Sequence, residues 1–168
     1  MPPPVDAALI AELFDRHAAA LALYAGQWTS AADDCVQEAL VELARQAAAP
    51  ENPSAWLYRV VRNRALNAAR AERRRSAHEQ TAAQARGERR DGNGGRDARP
   101  AEFVELVDLL NTLDPEAREI VVLRIWGQLA WREIAEIVGG SPSGAQRHYI
   151  QALQQLRRHW EPQSCPTN

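Results

Sequence analysis

The first half of the chain spaces its apolar residues with the period of an α-helix. Residues 7–26 repeat apolar side chains every three or four positions, which predicts one buried helical face that ends at Gly26. A second helix is predicted within residues 33–46, and a third from Ser54, an N-cap type of residue, through Arg75. Pro50 and Pro53 separate the second predicted helix from the third, because proline does not fit a helix interior. The predicted inward positions are Ile10, Leu13, Phe14, Leu21 and Tyr24 in the first helix and Val36, Leu40 and Leu43 in the second.

A stretch without large apolar residues separates the two halves. Residues 76–99 contain no Val, Ile, Leu, Phe, Trp or Tyr, so they cannot bury enough apolar surface to offset the entropy of ordering. We therefore predict a flexible linker over residues 76–100 between two small helical domains, residues 1–75 and 101–161, with a tail at residues 162–168. The expected fold class is all-α.

The second half predicts a helix-turn-helix. Helical spacing returns after the linker, and Asp114 followed by Pro115 is typical of a helix N-terminus. The stretch AWREIAEIV predicts a short helix and GGSP a tight turn. Ser141 with Pro142 predicts the start of a longer last helix. A short helix, a glycine turn and a longer helix are the elements of this motif.

The charge is distributed unevenly along the chain. The net charge of −2 combines −6 in residues 1–56, +7 in residues 57–100 and −3 in the remainder. A basic band between acidic segments indicates a polyanion contact on one part of the molecule and protein contacts on others.

The composition argues against several classes of protein. No apolar run approaches the roughly 20 residues that cross a bilayer, and the N-terminus does not resemble a secretory signal. We therefore expect a cytoplasmic protein without membrane insertion. Cys35 and Cys165 lack the spacing of a metal or redox motif, which favours buried or inert thiols. Because no paired nucleophile and base, metal constellation or phosphate loop is recognisable, we predict no enzyme, no cofactor and no metal site.

The third predicted helix has two different faces. At 100° per residue, Leu57, Val61 and Ala68 lie opposite Arg59. Guanidinium groups hold phosphates and aromatic rings stack on unpaired bases, so the polar face suits nucleic acid. The alternative is a solvated arginine face with Trp56 buried in the core. The residues on the polar side are Trp56, Arg59, Arg62, Asn63, Arg70 and Arg73.

The last predicted helix divides in the same way. In a helix-turn-helix its polar side faces the major groove, where arginine pairs with guanine and glutamine with adenine. His148 as an idle surface histidine is the alternative. The polar side carries Ser143, Gly144, Arg147, His148 and Gln151, and the inward side carries Ala145, Tyr149, Ala152, Leu153, Leu156 and Trp160.

The second helix begins with a compact polar cluster. Asp33 and Asp34 favourably meet the positive N-terminal end of the helix dipole. That explanation does not extend to Gln37 and Glu38, which lie beyond the cap and before the apolar run. These two residues therefore indicate a surface for a partner protein.

Three ordered segments resemble a known family. They are ADDCVQEALVEL, NPSAWLYRVVRNRALNAARAERRR and LDPEAREIVVLRIWGQLAWREIAEIVGGSPSGAQRHYIQALQQLRR. In order and spacing they are similar to regions 2 and 4 of bacterial RNA polymerase sigma factors of the sigma-70 family. The likeness covers most of the chain and is greatest to the small two-domain extracytoplasmic function (ECF) type.

The resemblance implies a sigma factor that binds core RNA polymerase and directs promoter-specific transcription initiation. Asp34, Gln37 and Glu38 would dock on the clamp of the largest polymerase subunit. The loop before the third helix and its arginine face would melt and read the minus-10 element of promoter DNA, and the last helix would read the minus-35 element. An anti-sigma factor is a further partner implied by the family. The residues assigned to the minus-10 element are Asn52, Trp56, Arg59, Arg62, Asn63 and Arg70, and those assigned to the minus-35 element are Ser143, Gly144, Arg147, His148 and Gln151.

Two departures from the family pattern matter. Ala130 stands where the family usually has a capping Ser or Thr, with an expected loss of about 1 kcal/mol of cap stabilisation. The reading side of the last helix has fewer basic residues than usual, which predicts weaker and less salt-sensitive minus-35 binding. The alternative function is a polymerase-independent helix-turn-helix regulator of duplex DNA, but such a regulator has no need of the polar cluster in the second helix.

Overall fold

The chain is all-α wherever its structure is described, which confirms the expected fold class. The structure is a computed structural model that describes residues 4–86 and 101–160, and within those ranges it contains no strand. The helices are α1 Ala7–Ala25, α2 Ala32–Ala44, α3 Pro53–Arg86, α4 Ala101–Asn111, α5 Pro115–Ile125, α6 Trp131–Val138 and α7 Pro142–Trp160. Among the described residues, no helix combines the length and the apolarity needed to span a membrane.

Two compact units make up the chain. The first consists of residues 1–51 and 59–99, and the second of residues 52–58 and 100–168. The predicted tail, residues 162–168, lies outside the described residues.

Packing of α1 against α2 builds the first unit. Asp6 caps α1, because its carboxylate accepts a hydrogen bond from the Leu9 backbone N–H at 2.8 Å. Phe14 was wrongly predicted to face inward, since it is 50% exposed. Phe14 lies at the edge of a buried stripe. This stripe runs through Leu13, His17 and the buried residues further along α1 at intervals of about one turn. The predicted inward residues that are buried are Leu13, Leu21, Tyr24, Val36, Leu40 and Leu43.

Both ends of α3 differ from the sequence-based prediction. Asn52 rather than Ser54 caps the helix, because its Oδ1 accepts from the Ala55 N–H at 3.0 Å and Pro53 occupies the first helical position. The helix continues to Arg86, so the first eleven residues of the predicted linker are helical. Their Ala, Gln, Glu and Arg residues have high helix propensity, so they extend a helix that is already nucleated. The rest of the predicted linker, residues 87–100, lies outside the described residues.

In the second unit, α5 contacts α4, α6 and α7. The four consecutive residues 120–123 of α5 are each 0% exposed, so this helix is buried on all sides along its middle turn. Asp114 caps α5 as predicted, accepting from the Ala117 N–H at 2.9 Å, with Pro115 next in sequence.

The predicted helix-turn-helix is formed by α6 and α7. Gly139 and Gly140 have φ angles of +90° and +100°, a backbone region that glycine adopts without steric cost. Ser141 Oγ accepts from the Gly144 N–H at 3.1 Å, so the predicted cap of α7 is present. At the start of α6, the Ala130 side chain makes no cap hydrogen bond, and the Glu133 carboxylate accepts from the Ala130 N–H at 2.8 Å. The helix thus has half of a capping box.

One residue of the inward side of α7 was placed wrongly. Leu153 is 37% exposed, whereas Ala145 and Ala152 are buried and Tyr149 is half-buried. Leu153 lies about 100° around the helix from Ala152, at the edge of the packed side. The side chain of Trp160 is outside the described residues.

Candidate functional site

The polar cluster of α2 forms one exposed surface. Asp34, Gln37 and Glu38 are all exposed and lie on one side of the helix, while the intervening Cys35 and Val36 are buried in the first unit. The structure therefore brings together the three residues that the sequence assigned to a partner protein. We call Asp34, Gln37 and Glu38 the α2 surface.

Arg64 of α3 contacts the α2 surface and was missed by the sequence analysis. Its two terminal nitrogens lie 2.5 Å from Glu38 Oε2 and 2.5 Å from Glu42 Oε2. The hydrogen bond to Glu42 raises the pKa of Arg64, with Glu38 adding to the same effect. A signal was present in the sequence, because Arg64 lies about 140° around α3 from Arg59 and so does not belong to the arginine face.

The thiol beneath the α2 surface is structural. Cys35 is 5% exposed, and burial raises the pKa of its thiol, which favours the unreactive protonated form. The prediction of a buried thiol is confirmed for Cys35, and Cys165 lies outside the described residues.

The two faces predicted for α3 are present in the structure. Leu57 and Val61 are 0% exposed, and Ala68 on the same side is half-buried. On the other side, every assigned residue is at least partly exposed, including Trp56, which is not in the core. We call this side the α3 arginine face. Its exposed members are Arg59, Asn63, Arg70 and Arg73, and its half-buried members are Trp56 and Arg62.

Trp28, in the turn between α1 and α2, is a second residue that the sequence analysis missed. The Arg62 guanidinium carbon lies 6.0 Å from the centroid of the Trp28 ring, within the range of a cation–π interaction. The same ring meets Tyr24 edge-on with centroids 5.0 Å apart. The α3 arginine face therefore adjoins an aromatic ring from outside α3, which sequence spacing within one helix cannot detect.

Both polar atoms of the Asn52 side chain form hydrogen bonds. Besides capping α3 through Oδ1, its Nδ2 donates to the Glu133 carboxylate, which belongs to the same compact unit. Arg70, in the first unit, donates to Asn67 Oδ1 at 3.3 Å. The side chains of Asn52 and Arg70, both assigned to the minus-10 element from the sequence, therefore take part in hydrogen bonds within the chain.

The polar side of α7 is exposed and carries little positive charge. Ser143, Arg147, His148 and Gln151 are exposed and Gly144 is half-buried. His148 Nδ1 lies 3.0 Å from Glu116 Oε1 of α5, so this histidine has a partner rather than being idle. An acidic side chain next to the reading side reduces its attraction for phosphate further than the sequence of α7 alone indicates.

Family comparison identifies the class of protein to which these two units belong. The family model of Sigma-70 region 2 matches residues 13–75, and that of Sigma-70, region 4 matches residues 103–156. Together the matches cover well over half of the chain. The chain belongs to the sigma-70 family. It is a sigma factor that directs transcription initiation, with region 2 followed by region 4 as expected for the ECF type.

Two solved structures are similar in fold. One is CnrH in complex with the cytosolic domain of CnrY, with 22% identity over 92% of this chain and 88% of that chain and a TM-score of 0.60. The other is the sigma factor RpoE in complex with the anti-sigma factor NepR from Bartonella quintana, with 21% identity over 88% of this chain and 93% of that chain and a TM-score of 0.59. A search of curated protein sequences found no match.

Proposed function

We propose that this sigma factor binds the clamp of the largest subunit of core RNA polymerase through the α2 surface. The observation that carries the proposal is the exposure of Asp34, Gln37 and Glu38 together on one side of α2, over a buried and tightly packed side. Two carboxylates and an amide form an acidic, hydrogen-bonding surface that fits a basic partner. Arg64 fixes the Glu38 carboxylate at one edge of this surface.

The α3 arginine face is the proposed reader of the minus-10 element. Arg59 and Arg62 supply positive charge for the phosphates, and the half-buried Trp56 supplies a ring for an unpaired base. Extruding a base from duplex DNA costs a few kcal/mol, and stacking on an aromatic side chain returns about 1–3 kcal/mol per base. A partly exposed ring on the same side of α3 as these guanidinium groups therefore suits strand opening better than binding of closed duplex. Asn52, which caps α3, is a further residue that we propose for the minus-10 contact.

The polar side of α7 is the proposed contact with the minus-35 element. Arg147 and Gln151 are exposed and have the side-chain types that read guanine and adenine in the major groove. Ser143, Gly144 and His148 complete the contact at the start of the helix. Because Arg147 is the single arginine among these five residues, we expect a weak contribution from this element.

Run-off transcription with purified core polymerase and a promoter library tests the proposal. Arg59→Ala and Arg62→Ala should weaken open-complex formation by about tenfold while changing core affinity less than twofold, because each removes a positive charge that faces a phosphate. Gln37→Ala and Glu38→Ala should do the converse. Arg16→Ala is the matched control, since Arg16 is an exposed arginine of α1 that pairs with Glu12.

Two outcomes would contradict the proposal. Equal loss of core binding and open complex in the Arg59 and Arg62 variants would give the α3 arginine face a structural role. A gel shift on duplex DNA alone, unaffected by Gln37→Ala and Glu38→Ala and accompanied by no transcription with any promoter, would favour polymerase-independent DNA binding.

An anti-sigma factor is the further partner that we propose. The RpoE structure, which shares this fold, is a complex with an anti-sigma factor. Such a protein would act in the cytoplasm, where it competes with polymerase for the sigma factor. Affinity purification of the tagged chain from its native cell should recover polymerase subunits, an anti-sigma factor, or both, and recovery of neither would contradict both partner assignments.

A further inference from the structure

A small cavity lies between the N-terminal turn of α5 and the polar side of α7. Its volume is about 160 Å³, and all of its lining residues belong to the second unit. The titratable groups that line it are Asp114 at the cap of α5, Glu116 in the first turn of that helix, and His148 of α7. A histidine of the proposed minus-35 contact therefore faces two carboxyl groups from the start of α5.

Within the described ranges, the other helices that pack on α7 bring no further charge to this cavity. Neither α4 nor α6 contributes one of its lining residues. The charged side chains of α6 make contacts of their own, because Arg132 pairs with Glu136 at 3.2 Å and Glu133 accepts from the N-terminal backbone of its helix. The charges next to His148 are therefore those at the start of α5 and that of Arg147, its neighbour in sequence.

Glu116 determines which ring nitrogen of His148 carries hydrogen. His148 Nδ1 lies 3.0 Å from Glu116 Oε1, and an ionised carboxylate can only accept, so Nδ1 donates. The Asp114 carboxylate serves instead as the cap of α5, where its Oδ1 accepts from the Ala117 N–H at 2.9 Å. With Nδ1 turned toward Glu116 and 47% of the His148 side chain exposed, Nε2 is the ring nitrogen left for a bound partner.

The protonation state of Nε2 decides whether His148 attracts DNA. In the neutral ring with hydrogen on Nδ1, Nε2 is an acceptor, and an acceptor cannot bind a phosphate oxygen. Uptake of one proton from solvent turns Nε2 into a donor and gives the ring a positive charge. A DNA phosphate and the Glu116 carboxylate both stabilise that charge. Histidine is the side chain that undergoes this change between about pH 5 and 8.

We propose that Glu116 is a positioning residue for the minus-35 contact, which holds His148 so that Nε2 takes up a proton and donates to a DNA phosphate. This inference rests on the proposed function of α7. It makes the contact depend on pH, because binding that takes up a proton strengthens as the pH falls. With His148 neutral, Arg147 stands beside the two carboxylates of Asp114 and Glu116, and protonation of His148 removes the excess of negative charge.

Promoter binding by the complete holoenzyme between pH 7.5 and 6.0 tests the proposal. The probe is a promoter fragment that carries a pH-insensitive fluorophore. The ratio of the wild-type binding constant to that of His148→Gln should rise about fourfold from pH 7.5 to 6.0, since one linked proton contributes at most about tenfold per pH unit. Groups that titrate in both proteins, including those of the polymerase, cancel in this ratio. Equal pH profiles of the two proteins would overturn the proposal.

His159→Gln is the matched control. It removes an exposed histidine from the last turn of α7, outside the residues of the proposed minus-35 contact. This variant should retain the wild-type pH profile. A profile as flat as that of His148→Gln would show that the pH dependence does not depend on the pair with Glu116, which would also overturn the proposal.

Glu116→Gln separates positioning from structural support. Glutamine keeps an acceptor for the Nδ1–H group of His148 but removes the negative charge that stabilises the protonated ring. The fourfold rise should therefore shrink to less than about twofold. A merely structural role would change binding by the same factor at every pH, and that result would overturn the role of Glu116.

A second promoter fragment with a scrambled minus-35 element distinguishes this inference from the function on which it rests. The rise at low pH should require the intact element, because base contacts dock α7 at that position. Tighter binding to the intact element with equal pH profiles in the wild type and His148→Gln would overturn the inference alone. Wild-type binding that is the same for both fragments at every pH would overturn the minus-35 contact and the inference together.

Discussion

At the scale of single residues, Arg64 determines how the α2 surface is presented. One guanidinium joins Glu38 and Glu42 and is itself about one third exposed, so water does not fully screen the pair. The planar guanidinium group of Arg64 binds two carboxylates and restricts the motion of both. Glu38 is therefore held in one position before a partner binds. Arg64 is therefore a positioning residue for the proposed polymerase contact.

Replacing Arg64 by Met should lower the free energy of unfolding of the first unit by about 1 kcal/mol, because two charged hydrogen bonds are removed and the aliphatic stem is kept. Urea unfolding followed by far-UV circular dichroism measures this change. Arg16→Met, which breaks an exposed pair 3.6 Å long within α1, should cost less than about 0.5 kcal/mol. Equal costs would show that the Arg64 pair is only a surface contact.

His17 makes the stability of the first unit depend on pH. It is 2% exposed, and burial, followed by the charge of Arg16, lowers its pKa below the ordinary value of 6.5. The unfolded chain therefore binds the proton more readily than the folded chain, so stability is full above the unfolded pKa and falls as the pH drops through about 6.5. The loss is limited to one proton, about 1.4 kcal/mol per pH unit.

Urea unfolding at pH values between 8 and 5 measures this dependence. His17→Gln removes the titrating group, so its stability should change less over the same interval than that of the wild type. A wild-type stability that stays constant from pH 8 to 5.5 would contradict the prediction.

The residues that sequence reasoning missed share a physical property. Arg64, Trp28 and Glu116 contact residues on other elements, whereas the exposure of residues such as Asp34 and Arg59 follows from the period of their own helix. Periodicity states which residues share a face. It does not state which faces of different helices meet, so contacts across elements required the structure.

At the scale of elements, helix ends were the least predictable part of the fold. Caps with a polar side chain, at Asp114 and Ser141, were placed correctly. The start of α3 was placed two residues late, because both Asn52 and Ser54 are good N-cap types and only the first has proline after it. The end of α3 was misplaced because the absence of apolar residues was taken as absence of structure, although helix propensity alone continues an existing helix.

Substitutions at the N-caps of α6 and α7 should change the free energy of unfolding in opposite directions. Ala130→Ser should raise the free energy of unfolding of the second unit by about 0.5–1 kcal/mol, because Ala130 already has extended backbone angles and the Glu133 half of the capping box is present. Ser141→Ala should lower it by about 1 kcal/mol, since the Gly144 N–H loses its acceptor. Thermal unfolding of the full chain measures both, and a destabilising Ala130→Ser would contradict the capping argument.

At the scale of the whole molecule, charge differs among the three surfaces. The α2 surface is acidic, the α3 arginine face is basic, and the polar side of α7 has one arginine with Glu116 nearby. The ordered family segments in the sequence were enough to predict two helical domains. The small number of basic residues on the polar side of α7 was also visible in the sequence, whereas the position of Glu116 next to His148 depends on how α5 and α7 pack.

The salt dependence of promoter binding should reflect this separation. In a plot of the logarithm of the binding constant against the logarithm of salt concentration, Arg59→Ala with Arg62→Ala should reduce the slope by about 0.7–0.9 for each phosphate that is no longer neutralised. Arg147→Ala should reduce it by no more than the value for one phosphate. Fluorescence titration of the holoenzyme with promoter at several salt concentrations measures the slopes, and a larger change for Arg147→Ala would place the dominant interaction on α7.

Because α3 runs without interruption from Arg62 to Gln80, the orientation of its second half is fixed relative to that of its first half. One extra alanine between Arg64 and Ala69 would turn everything beyond it by about 100° and advance it by about 1.5 Å. The amino-acid composition and net charge would hardly change, yet Arg70 and Arg73 would rotate away from the side of α3 that carries Arg59 and Arg62. We therefore expect an insertion or deletion within α3 to impair the protein far more than a substitution on its exposed side.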